Sequence, residues 1–173
     1  MLEIAKTSGR GRAWRCAAAS VLAIAAMATP AQLAAQSQNV RVTKLADVTF
    51  GGLTNLGVDA SSSQDICVYA NTTGNRYRVT ATGSGPAGSF VLNSGANLLP
   101  YEVQWNTAPG QSSGLQLSAN SAQTGLTSTA TQQTCNSGPL TSASLILLLR
   151  STALSSAMAG TYSGTLMLMI GAD

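Results

Sequence analysis

From residue 36 onward the apolar side chains recur at every second position, never at helical spacing, and Gly, Ser, Thr and Asn break the pattern at short intervals. Such punctuation predicts short strands joined by turns. The candidate strands are 39–50, 64–70, 76–82, 89–93, 99–106, 114–118, 143–150 and 161–170. Over 77–81 and 101–105 the odd positions are apolar and the even ones polar, so each strand has one buried and one wet face. In the last strand Tyr162, Gly164, Leu166, Leu168 and Ile170 share a face, while on the other Ser163 and Thr165 give way to Met167 and Met169. Residues 145–149 are apolar throughout, as in a central strand or one that a partner covers. Residues 112–137, polar apart from Leu115, Leu117 and Leu126 as main anchors, read as a long surface connection. Strands of this number and length predict an all-β sandwich of two sheets. No repeat or Pro-rich linker divides the chain, so residues 36–173 are expected to form one domain.

The first 35 residues depart from this pattern. Lys6, Arg10, Arg12 and Arg15 precede an apolar run over 17–27, then Pro30 and a small-residue stretch, the order of a secretory signal peptide cleaved near Ala35. The run is shorter than the ~20 apolar residues of a membrane span. Only 9% of the 173 residues are charged. Without the signal, Arg41, Lys44, Arg76, Arg78 and Arg150 balance Asp47, Asp59, Asp65, Glu102 and Asp173. A neutral chain without clustered basic charge argues against nucleic acid as a partner. Of three cysteines, Cys16 leaves with the signal, and export to an oxidising compartment makes a Cys67–Cys135 disulfide the expectation.

The chain has no histidine, which removes the commonest general base and metal ligand. The five carboxylates outside the signal form no motif, so no enzyme, cofactor or metal site is expected. Gly83-Ser84-Gly85-Pro86-Ala87-Gly88 lacks the Lys-Ser/Thr of a phosphate loop and reads as a hairpin connection. Tyr101 and Trp105 share their strand face with Val103 and read as core, and Arg76 and Arg78 as a solvated edge.

Several segments together resemble the spore coat protein U domain, a family that includes the Csu-type, or archaic, chaperone-usher pilins. They are Cys67-Val68-Tyr69-Ala70-Asn71, residues 77–85, Phe90-Val91-Leu92, Leu99-Pro100-Tyr101-Glu102-Val103-Gln104-Trp105, Cys135, and Ala159-Gly160-Thr161-Tyr162-Ser163-Gly164-Thr165-Leu166. The last is the most specific. The resemblance implies an immunoglobulin-like sandwich that lacks its final strand and is completed by a donor strand, first from a periplasmic chaperone and then from a neighbouring pilus subunit. By analogy Leu166, Leu168 and Ile170 form the groove floor, and the Asp173 carboxylates anchor basic chaperone residues. An outer-membrane usher would be a further partner, and the protein would pass through the periplasm to a surface fibre that supports adhesion or biofilm formation. Val40 and Val42 are the apolar residues available for a donor segment, and Lys44 interrupts their series. The alternative is a free-standing secreted binding module, carbohydrate-binding through exposed aromatics, in which residues 36–50 fold back to close the same edge.

Overall fold

Alternation of apolar and polar residues builds most of the sheet framework in the computed structural model, which describes residues 38–173; the expected signal peptide lies outside the described residues. In chain order the strands are β1 (Asn39–Thr43), β2 (Ala60–Asn71), β3 (Arg76–Gly83), β4 (Val91–Ser94) and β5 (Asn97–Pro100). They continue with β6 (Glu102–Asn106), β7 (Leu115–Gln116), β8 (Ala122–Thr127), β9 (Ala143–Leu149) and β10 (Leu166–Ala172), with a short helix α1 (Ser151–Ser156) before the last. One sheet has the order β1-β2-β9-β6-β7, a second β10-β3-β8, and β4-β5 form a separate ribbon. All pairings are antiparallel. The chain is an all-β sandwich of antiparallel sheets.

The core joins the inward faces of the two sheets. Ile66, Val68 and Ala70 of β2, Tyr77, Val79 and Ala81 of β3, Val103 and Trp105 of β6, and Leu145 and Leu149 of β9 are buried in one cluster. These are the odd positions of β3 and β6 that alternation assigns to the interior. β9, apolar on both faces, lies between β2 and β6, which explains its composition.

Departures from the sequence expectation have local causes. The first strand stops at Thr43 instead of reaching residue 50, because Lys44 takes a left-handed φ of 65° that breaks the extended run. Its ammonium is drawn to the carbonyls of Cys135 and Leu140, at 3.2 and 2.7 Å. The stretch 99–106 divides into β5 and β6 at Tyr101: its N–H still bonds the carbonyl of Phe90, next in the β4–β5 register, and from Glu102 the chain pairs with β9 instead. Within the surface connection expected over 112–137, the strand expected at 114–118 is the short β7, while the unexpected β8 pairs with β3 and buries Leu126. The last strand is displaced to Leu166–Ala172, while Ser163 forms a bridge with Asn93 of β4. The glycine-rich stretch after β3 joins two strands that do not pair with each other. There a Cβ on Gly83 would meet the Ser89 carbonyl oxygen at 2.2 Å, so only glycine fits.

Past Ile66, β2 outruns its partner β9, and side chains take over the ladder. The Ser142 hydroxyl accepts from Val68 N–H and donates to Val68 C=O, both at 2.8 Å, and the Ser128 hydroxyl also donates to that carbonyl. Both serines are buried, so each of these bonds satisfies groups that water does not reach.

Candidate functional site

β10 is bonded to β3 on one side only, and among the described residues no strand pairs with its other edge. Its side chains alternate: Leu166, Leu168 and Ile170 are half-buried and pack on the core, whereas Met167 and Met169 point out, 63% and 66% exposed. Beside this edge opens a cavity of about 1320 Å3 lined by Leu92, Leu99, Tyr101, Leu145, Leu147, Leu149 and Leu154, together with Leu166 and Leu168 of β10. It exceeds the roughly 300–1,000 Å3 of a small-molecule site. Its walls are mainly aliphatic, and it lies against a strand whose backbone donors and acceptors on one side have no strand partner. An extended segment supplies what both features lack, a hydrogen-bond ladder for β10 and side chains at every second position for the cavity.

Several ionisable groups elsewhere are committed to structure. Arg150, just after β9, donates to Glu102 through Nε (2.8 Å) and Nη2 (2.7 Å) and to Asp59 through Nη1 (3.0 Å), which ties β9 to β6 and to the turn before β2. Asp59 also accepts the Ser151 N–H, and this bond, ahead of Arg150, holds its carboxyl below the usual range. The Arg150 hydrogen bonds lower Glu102 in the same direction. Asp65 accepts from Ser144 Oγ and Gly110 N–H, both at 2.7 Å. Trp105 is buried and donates its Nε1–H to the Tyr77 hydroxyl at 3.0 Å, so its face is not available to a sugar. Burial pushes the Tyr77 phenol up to about 12, against the smaller opposing effect of that hydrogen bond. The Cys67–Cys135 disulfide forms on the side of β2 away from the core, in a small cluster with Ala130 and Tyr69.

No protein-family model matches the sequence, and no curated protein matches it. Among solved structures, the fold is similar to a chain of the chaperone–tip adhesin complex of CFA/I fimbriae biogenesis, with a TM-score of 0.49 and 16% identity over 79% of this chain and 41% of that one. It is also similar to a chain of the CsuC–CsuE chaperone–tip adhesion subunit pre-assembly complex from the archaic chaperone-usher Csu pili of Acinetobacter baumannii (TM-score 0.44, 20% identity, 77% of this chain and 39% of that). The P pilus rod subunit PapA is a third such structure (TM-score 0.45, 17% identity, 79% and 92%). The chain spans about two fifths of the length of the first two.

Of the residues singled out in the sequence, Leu166 and Leu168 line the cavity, while Ile170 packs on the core opposite Val79 in the β3 register. The Asp173 carboxylate accepts the Gly125 N–H at 2.6 Å, beside β8 and not in the cavity. Val40 and Val42 belong to β1, paired with Ala70 and Val68 of β2, and pack on the core. Sequence reasoning missed most of the cavity wall. Leu145, Leu147 and Leu149 were visible as an apolar run, but their role follows only from β9 lying opposite the open edge. Residues 45–53 also reach the cavity: the main reading made Val48 and Phe50 a continuation of the first strand, and only the alternative reading had residues 36–50 fold back on the open edge.

Proposed function

We propose that this chain is a non-enzymatic structural subunit of a secreted surface pilus assembled by the chaperone-usher route, in which the open edge of β10 accepts a strand from a partner. The observation that carries the reading is the coincidence of a one-sided strand with a large aliphatic groove directly beside it. The sequence resemblance to spore coat U domains supports the same assignment and supplies the partners: a periplasmic chaperone, an outer-membrane usher and neighbouring subunits. Leu166 and Leu168 form the groove floor in this reading, with Ile170 at its end and Asp173 as an anchoring point for basic chaperone residues. Val40 and Val42 act as a donor only if β1 leaves β2, so accepting a strand is the primary role. Export through the inner membrane, passage through the periplasm and a contribution to adhesion or biofilm formation belong to the same proposal.

The test is unheated SDS gel electrophoresis of the protein recovered from envelope and surface fractions of its native host and detected with a specific antibody. A ladder of regularly spaced bands that collapses on boiling is the expected result, because strand-exchanged complexes resist detergent. A lone monomer band from both fractions, heated or not, overturns the polymer reading.

A further inference from the structure

We propose that residues 46–50 are a built-in stand-in for the missing strand, which occupies part of the groove in the lone molecule and is displaced when a partner strand pairs with β10. The inference rests on the strand-accepting reading of the groove and adds how the groove is protected before a partner arrives.

Part of the segment alternates as an inserted strand does. All of residues 45–53 line the cavity, and Val48 and Phe50 are half-buried against the core with exposed Thr49 between them, whereas Ala46 is exposed. Leu53 packs on the same core. Yet the segment lacks the ladder of a true strand, since no backbone hydrogen bond joins 46–50 to β10 among the described residues. Among the described residues its one polar hold is the Gln64 side-chain amide, which donates to the Ala46 carbonyl at 3.1 Å and accepts the Ala46 N–H at 2.9 Å. Apolar contact without a ladder is non-directional, so a strand offering both displaces it.

The ends of the segment are suited to movement. Lys44 on one side and Gly51 on the other have left-handed φ of 65° and 67°, and at Gly51 and Gly52 nothing beyond the adjacent residues lies within 4 Å of where a Cβ would be. The Lys44 ammonium is fixed to the carbonyls of Cys135 and Leu140, so β1 stays in place while 46–52 swings. The two glycines permit backbone conformations closed to other residues. A partly filled cavity is the expected compromise: the stand-in screens Leu166 and Leu168 from solvent, but holds too weakly to block its replacement.

The experiment compares the purified protein with a Val48→Ser/Phe50→Ser double variant and with Gln64→Ala, using binding of the dye ANS, which reports exposed apolar surface. The double variant is expected to bind several-fold more dye than the wild type, and Gln64→Ala an intermediate amount. An excess of a synthetic peptide of residues 44–53 is expected to reverse the gain, whereas the same peptide carrying both serines leaves it unchanged. Equal dye binding by all three proteins, each unfolding cooperatively, overturns the proposal, as does a gain that the wild-type peptide does not reverse. Should the double variant fail to unfold cooperatively, Gln64→Ala decides, since it releases Ala46 and leaves every apolar contact of the segment intact. The result is independent of assembly. Dye release by the peptide with only monomers on the unheated gel sinks the pilus reading alone, and a ladder with no dye difference sinks the stand-in alone.

Discussion

Trp105 and Tyr77 meet edge to face at 6.3 Å between ring centroids, and the indole N–H satisfies a phenol that no water reaches. Trp105→Phe keeps an aromatic ring but strands the Tyr77 hydroxyl, a loss of about 1–3 kcal/mol before any cavity cost. A lower denaturant midpoint with an unchanged m-value checks it. The same phenol sets a response to alkali. Its folded pKa, about 12, lies above the 10.0 of a free phenol, so the folded state keeps a proton that the unfolded state releases. The stabilisation is whole below about pH 10 and is lost as pH rises toward about 12. Tyrosinate absorbance of the buried phenol should therefore appear together with unfolding in this window. Ser142 offers a second residue-scale test: Ser142→Ala leaves the buried Val68 N–H without its acceptor and should cost about 1–3 kcal/mol, whereas Ser156→Ala, on the exposed helix, should shift the midpoint little.

Among the elements, those with an apolar face against polar neighbours were legible and those held by their partners were not. β3, β6 and the inward face of β10 follow from alternation alone, because burial of one face imposes a period of two. β2 begins with Ala60-Ser61-Ser62-Ser63, ahead of the strand expected over 64–70; these four residues carry no such signal, yet they are strand because β9 pairs with β2 from Ala60 to Ile66. β8 was hidden for a related reason: it is an edge strand with one buried side chain, Leu126, and its register against β3 shifts between Tyr77 and Val79. The groove was half legible. Leu166 and Leu168, singled out in the sequence, do line the cavity and Ile170 does not; the opposite wall comes from strands far away in sequence, and the Lys44 kink that sends Val48 and Phe50 toward it has no signature in composition. Leu168→Asp tests the floor at this scale. An aspartate there places a charge where an inserted strand packs, so heat-sensitive complexes should disappear from unheated gels. Met169→Asp, on the exposed face of the same strand, should leave them intact.

For the molecule as a whole, the proposed reading leaves part of the core for another chain to complete, and the disulfide is a second, covalent source of stability. Cys67 and Cys135 are 68 residues apart, and on the chain-entropy account closing a loop of that length removes roughly 4 kcal/mol of unfolded-state freedom. That is a large share of a typical total of about 5–15 kcal/mol. The bridge lies outside the main core, so breaking it leaves the groove lining intact. Partner binding and the bridge therefore stabilise the same folded state by separate means. A strand that binds only the folded form adds RT ln(1 + [L]/Kd), about 4 kcal/mol at a thousandfold excess over Kd. The two contributions are thus of similar size and substitute for one another. Reduction, or a Cys67→Ser/Cys135→Ser variant, should lower the melting temperature of the lone chain by roughly 10–20 °C. Adding a strand-donating partner to the reduced protein should restore most of that loss, and calorimetry on the four combinations of reduced or oxidised, free or bound, measures both effects. A reduced protein that melts with the oxidised one shows that the bridge constrains little. A reduced protein that the partner fails to rescue shows instead that the loop pinned by Cys135 must be in place before the groove can accept a strand.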